Sequence, residues 1–186
     1  VYVGDDSGTL ACYALADGKE LWRFKSDMRI VGTPAADDNV VVFGSADMCI
    51  YGLDATTGRL LWKVQTDAPV LGAVTLHKGV AYIGGSDHCF RAIDLHSGQA
   101  VWTYEGVAGY IETKPLVYDG LVIFGAWDKN LYALDLKTGR EVWKWHDGKP
   151  GKFYSAAAVW PVGAHGKVFV ADPERVLSAI DLRTGA

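Results

Sequence analysis

The chain of 186 residues is 49% hydrophobic and 22% charged, enough for one well-buried globular domain. Its net charge of −4, with no Lys/Arg cluster, lacks the electrostatic footprint of a nucleic-acid binder. No apolar run approaches the roughly 20 residues of a membrane-spanning helix, and seven Trp and 22 Gly against two Met point to many short strands and tight turns.

Residues 1–25 begin inside a strand pattern, VYVG, without an initiating Met or a signal peptide, and lead to YALADGKELW at Trp22. The next unit, 33–66, carries LDATTGRLLW, ending at Trp62. Unit 71–105 carries IDLHSGQAVW, ending at Trp102, and unit 111–146 carries LDLKTGREVW, ending at Trp143. Residues 155–182 lead to IDLRTGA, which stops before the tryptophan, so the chain reads as a segment of a longer protein. The tryptophans recur at steps of 40, 40 and 41, and Gly18, Gly58, Gly98 and Gly139 keep the same steps. Gly185 follows after 46, which places an insertion between Trp143 and Val168. A second series, Gly4, Gly44, Gly84 and Gly125, lies 18 residues before each tryptophan. Self-similarity near 40 residues marks a repeat architecture.

Unit 111–146 shows the internal plan. TKPLVYDG, LVIFGAWD, NLYALDL and EVWKWH are apolar runs separated by Asp119-Gly120, Asp128-Lys129-Asn130 and Lys137-Thr138-Gly139, the turn chemistry of an antiparallel meander. Several runs are apolar at nearly every position, so both faces of each small sheet are buried. Four-stranded sheets packed face to face around an axis satisfy that demand, and the fold class predicted is an all-β propeller. Three complete blades (33–66, 71–105, 111–146) and two partial ones (1–25, 155–182) predict an incomplete ring. Three strands at each end would overfill one shared blade, so simple closure is not expected.

The recurring motif then acquires roles. Asp54, Asp94, Asp135 and Asp181 end third strands, where a short carboxylate accepts hydrogen bonds from turn N–H groups. The glycine closing each turn suits positive φ. Each tryptophan fills the gap to the next blade, and its indole N–H needs an acceptor; Trp62, Trp102 and Trp143 are expected to be largely buried. The first copy has Ala14 for the aspartate and Asp17 for the Thr/Ser, which predicts its least well-tied turn.

The pattern D-x-x-[ST]-G-x-x-x-W, with an upstream V-x-x-G-[SA]-x-D, resembles the pyrroloquinoline-quinone (PQQ) type propeller repeat over nearly the whole chain. That superfamily includes quinoprotein dehydrogenases, a lipoprotein of the outer-membrane β-barrel assembly machinery, and accessory or sensor propellers fused to bacterial kinases and phosphoesterases. The stretch FYSAAAVWPVGAHGKVFVADPERVLSAIDLRTG is similar to propellers attached to calcineurin-like phosphoesterases. The resemblance implies either a non-catalytic scaffold or ligand- and protein-binding propeller in a bacterial envelope or multidomain protein, or a fragment of a PQQ-dependent oxidoreductase, or a regulatory propeller beside an enzyme domain. It implies a periplasmic or cell-envelope location and a protein or peptide partner.

The dehydrogenases of that superfamily place an adjacent Cys-Cys pair over the quinone, whereas Cys12, Cys49 and Cys89 are all separate. Calcium needs about six to eight converging oxygens, and the repeat aspartates fall one per unit. No catalytic, cofactor or metal residues are therefore expected; PQQ and Ca²⁺ would require a pocket completed by sequence outside this chain. The histidines lack ligand spacing for zinc, and His88-Cys89 diverges if it lies in a strand. First strands line a propeller's channel, and TPAA, GAVT and SAAA are small and neutral there, whereas ETKP carries Glu112 and Lys114 two apart on one strand face. With Arg29 and Tyr110 just upstream in their units, these form a candidate channel-mouth binding site.

Overall fold

A computed structural model describes residues 1–37, 39–146, 148, 160–171 and 176–186. Among them the chain forms eighteen strands and no helix. The first sheet holds β1 (Tyr2–Gly4), β2 (Thr9–Tyr13) and β3 (Glu20–Lys25). The second holds β4 (Ala35–Ala36), β5 (Val40–Ser45), β6 (Cys49–Asp54) and β7 (Leu60–Gln65). The third holds β8 (Thr75–His77), β9 (Val80–Gly84), β10 (Phe90–Asp94) and β11 (Ala100–Tyr104). The fourth holds β12 (Leu116–Tyr118), β13 (Leu121–Gly125), β14 (Leu131–Asp135) and β15 (Glu141–Trp145). The last holds β16 (Val162–Ala164), β17 (Lys167–Ala171) and β18 (Leu177–Asp181). All are antiparallel meanders with strands in sequence order, and together they make an open propeller arc. The SAAA stretch expected on an inner strand lies outside the described residues.

Turn chemistry explains the meander. The first hairpins of the third, fourth and last sheets turn through Lys78-Gly79, Asp119-Gly120 and His165-Gly166, with positive φ at both residues of each pair. Such pairs match the right-handed twist of the flanking strands. Burial explains the stacking. Every residue of β5 is buried, as are four of five in β13 and β14, so these central strands face neighbours on both sides.

The core accordingly lies between sheets rather than at one centre. Val42, Ile50 and Trp62 pack on Ile83, Ile93 and Leu95 of the following sheet. Phe90 stacks on Phe124 across the next interface, ring centroids 4.0 Å apart, and Phe124 stacks on Tyr132 at 5.3 Å. Val168, Ile180 and Leu182 close on Ala133 and Trp143. Each such buried side chain contributes about 1.5–3 kcal/mol. At the inner edge, the N–H of Val74 donates to the Thr33 carbonyl (3.2 Å) and the Thr75 hydroxyl to the Pro115 carbonyl (2.6 Å), tying successive first strands together.

One sequence expectation shifts here. β12 begins at Leu116, so Glu112 and Lys114 precede the strand instead of lying on it. The linker is nonetheless extended and alternating: Ile111, Thr113 and Pro115 are buried, while Glu112 is half-buried and Lys114 exposed. The two polar residues therefore still share one side.

Candidate functional site

The elements that hold the site in place are built from the repeat motif. In each turn after a third strand, Asp Oδ1 accepts the N–H and hydroxyl of the residue three later. Thr57 donates both at 2.8 Å to Asp54, Ser97 at 2.8 and 2.7 Å to Asp94, Thr138 at 2.8 and 2.7 Å to Asp135, and Thr184 at 2.9 and 3.0 Å to Asp181. Hydrogen bonding to the hydroxyl and then the backbone holds the first three carboxyls below their usual range; at Asp181 the backbone bond leads. In the first turn, Asp17 accepts only the N–H of Lys19 (3.0 Å).

The turn also receives the preceding blade's tryptophan. The indole N–H groups of Trp22, Trp62, Trp102 and Trp143 donate to the carbonyls of Ala55, Leu95, Leu136 and Leu182, at 3.2, 2.9, 3.2 and 2.8 Å. Each acceptor immediately follows a repeat aspartate. Beneath each ring lies the turn glycine of the same neighbour: a Cβ on Gly98, at φ +71°, would stand 2.7 Å from Trp62 Cγ. Gly58, Gly139 and Gly185 lie under Trp22, Trp102 and Trp143 in the same way, whereas Gly18 faces open space. Trp62 and Trp143 are buried, but Trp22 and Trp102 are only half-buried, and those two also make the longer indole bonds. Of the three tryptophans expected to be largely buried, Trp102 is thus the most exposed.

A second set of aspartates, in the hairpins between second and third strands, anchors the linkers from the preceding blade. Asp47, Asp87 and Asp128 accept the backbone N–H of Asp27 (3.1 Å), Asp67 (3.4 Å) and Ala108 (3.1 Å). The same carboxylates take a side chain four residues on: the Tyr51 hydroxyl (2.7 Å), the Arg91 guanidinium (2.5 Å) and the Tyr132 hydroxyl (2.5 Å). Burial and then donation to the carboxylate push both phenols well up, so they remain protonated donors. Burial pushes Asp87 up, but the Arg91 hydrogen bonds and charge outweigh it and hold it below the carboxylate range.

On this anchored rim lie the four candidate residues. Tyr110 is 50% exposed and its ring lies 5.4 Å from that of His88. Glu112 accepts the indole N–H of Trp127 at 3.1 Å. Trp127, 37% exposed, was not singled out from the sequence; it lies where the two preceding units have Ala46 and Ser86. Among the described residues the ion pairs are Arg23–Glu20 and Arg91–Asp87, so Glu112 and Lys114 do not form one. Arg29 belongs to a linker two sheets earlier, where its carbonyl accepts the N–H of Ala46 (3.0 Å). The structure thus gathers Tyr110, Glu112, His88 and Trp127, keeps Lys114 beside them on the same linker, and leaves Arg29 apart. His88 sits in a turn at φ 65°, next to Cys89, and all three cysteines are free. Among the described residues no group of three His, Cys, Asp or Glu side chains is placed to hold a metal ion.

Comparison with known proteins gives this arrangement a family. Residues 1–106 and 105–186 match the family model of the outer membrane protein assembly factor BamB. The crystal structure of BamB from Moraxella catarrhalis superimposes with a TM-score of 0.80 at 26% identity, over 100% of this chain and 56% of that one. Two computationally designed proteins share the fold: Ika8 (TM-score 0.82, 23% identity, 96% of this chain and 54% of that one) and Ika4 (0.71, 22%, 84% and 93%). A comparison with curated proteins finds no match. The chain spans just over half the length of the Moraxella protein it resembles. With the family model matched along its entire length, this chain belongs to the BamB family of PQQ-like β-propellers.

Proposed function

We infer that this propeller is a non-catalytic docking scaffold in outer-membrane protein assembly, working in the periplasm, and that a protein partner seats on the rim at Tyr110, Trp127 and Glu112. The observation that carries this is the exposed aromatic pair on an otherwise anchored rim. The repeat aspartates and tryptophans are occupied in joining blades, whereas Tyr110 and Trp127 present ring surface to solvent beside a carboxylate. Large rigid aromatics of this kind dominate protein interfaces at low entropic cost. Family membership supports the choice of process, and the exposed rings support the choice of face.

The test is chemical cross-linking in cells of the parent organism, with the wild-type chain and with Tyr110→Ala/Trp127→Ala. Cross-links to outer-membrane assembly proteins that vanish in the double variant support the reading. Their absence from wild type, or their persistence in the variant, refutes it. A parallel melt with PQQ and Ca²⁺ is expected to leave Tm unchanged, since a bound ligand would raise it by mass action; a rise with turnover of an alcohol or sugar would favour the oxidoreductase reading.

A further inference from the structure

A second binding feature lies away from that rim, in the crevice between the third and fourth sheets, where the β8–β9 hairpin and β11 of one meet the turn after β14 of the other. A cavity of about 310 Å³ opens there, with Val80, Val101 and Leu136 as its apolar floor and His77, Lys78 and Lys137 at its margin. Its floor arises from a local irregularity. The register of β10 with β11 shifts between Ala92 and Ile93, so that Trp102 faces Ala92, Ala100 faces Ile93, and Val101 is the extra residue. A bulge re-aims side chains, and here Val101 joins Leu136 and Lys137 of the next sheet, 51% exposed.

The following interface provides an internal comparison. The register shift between Ala133 and Leu134 makes Val142 the extra residue, and a cavity of about 380 Å³ is lined by Asp119, Leu121, Val142, Leu182 and Arg183. Position by position, Asp119 stands where Lys78 stands and Arg183 where Lys137 stands. The two crevices share an apolar floor, but one margin balances a carboxylate against a guanidinium and the other carries two ammonium groups. Among the described residues neither lysine forms an ion pair, although the charge of Lys137 is felt by the nearby Asp135 carboxylate.

The adjoining edge differs as well. Outer strands β3, β7 and β15 carry Glu20, Arg23 and Lys25; Lys63; and Glu141 and Lys144, charges of the kind that discourage pairing with another chain. β11, AVWTY, carries none. An uncharged edge beside an apolar cavity with a cationic margin is what an extended acidic peptide requires: main-chain pairing along the edge, one side-chain pocket, and charge complementarity.

Building on the protein-docking reading, we propose that β11 and the crevice at Val101 form a strand-addition site for an acidic, extended segment of a partner protein, which seats one leucine- or phenylalanine-sized side chain on Val80, Val101 and Leu136 between Lys78 and Lys137. The partner class is set by the margin: a basic segment meets like charge here and would find the next crevice neutral.

Fluorescence anisotropy with dye-labelled decapeptides tests this, using a Leu-Phe centre flanked by glutamates, the same centre flanked by lysines, and a glycine centre flanked by glutamates. Saturable binding is expected for the first alone. Lys78→Asp copies the residue of the neighbouring crevice, and Asp119 adopts φ 46° where Lys78 has 49°, so the turn accepts it without strain. The variant should weaken binding about tenfold, the scale of reversing one exposed charge, and raising salt should weaken wild-type binding further. Tyr110→Ala, on the other rim, should leave the affinity unchanged. Equal affinity for Lys78→Asp, equal binding of the lysine-flanked peptide, or no saturable binding would overturn the proposal. Loss with Tyr110→Ala would also overturn it, because the peptide would then sit on the aromatic rim. The rim cross-links above are independent of every one of these outcomes, so the crevice can fail while the scaffold stands.

Discussion

The contact between Trp62 and Gly98 makes a quantitative prediction about how blades are joined. Trp62 is 8% exposed, donates its indole N–H to the Leu95 carbonyl at 2.9 Å, and lies over Gly98. Trp62→Ala should cost about 3–5 kcal/mol, the range of large aromatic truncations in cores. Trp62→Phe keeps a ring but leaves the Leu95 carbonyl without its donor, for about 1–3 kcal/mol. Gly98→Ala has two separable costs: a left-handed residue at φ +71°, about 1–2 kcal/mol, and a Cβ 2.7 Å from the ring, an overpacking of about 1–3 kcal/mol. Only the second requires the tryptophan. The double variant Trp62→Ala/Gly98→Ala should therefore cost about 1–3 kcal/mol less than the sum of its singles. Urea titrations followed by far-UV circular dichroism give all four free energies, with the slope checking that each variant unfolds the same surface. If Gly98→Ala costs as much without Trp62 as with it, the glycine serves its turn alone and the interlocking account is wrong. The same comparison with Trp22, half-buried and with a 3.2 Å indole bond, should give smaller costs throughout.

Three further outcomes follow from the electrostatics. Removing Arg91 leaves the Asp87 carboxylate, 2% exposed, without its cation, so Arg91→Ala should cost about 3 kcal/mol; Arg23→Ala, at a pair whose arginine is 67% exposed, should leave the urea midpoint nearly unchanged, and equal losses for the two variants would contradict the assignment. The Asp135 carboxyl titrates lower folded than unfolded, so its contribution is present above the ordinary carboxylate range near about pH 4 and disappears as pH falls through the folded value. Asp135→Asn should thus be less stable than wild type at neutral pH and converge with it in acid; a constant gap across the titration would show that the charge is immaterial. Lys114→Ala should change stability by less than about 1 kcal/mol, because the exposed ammonium forms no ion pair among the described residues, and a larger drop in Tm would reveal a structural role.

How much of this could be read from residues alone depends on which group makes each contact. The blades were legible because Trp, Asp and turn Gly are chemically distinctive and recur at a fixed step. The acceptors of the indoles were not, since Ala55, Leu95, Leu136 and Leu182 act through backbone carbonyls and their side chains carry no sign of it. The ring contact beneath each tryptophan was hidden behind a sufficient local reason for glycine, its positive φ. Trp127 escaped notice because it meets Glu112 from a hairpin 15 residues further on. The crevice at Val101 combines residues of two sheets, and its charge becomes informative only when Lys78 and Asp119 are seen to hold equivalent places.

That last comparison bears on where function can reside in such an array. Positions that repeat in every unit are engaged in joining one blade to the next: the aspartate ties the turn, the turn supplies the carbonyl, and the carbonyl and glycine receive the tryptophan. A ligand that drew on those groups would loosen an interface worth several kcal/mol. Recognition is cheaper where one unit departs from its siblings without disturbing the join. Trp127 replaces Ala46 and Ser86, Glu112 takes the place of Val31 and Leu71, and Lys78 reverses the charge of Asp119. All are half-buried or exposed, and none supplies a bond between a tryptophan and its turn. Two of them lie on the aromatic rim and one beside the uncharged edge of β11, so the departures fall on the surfaces assigned above to docking, while the repeat itself holds those surfaces in register.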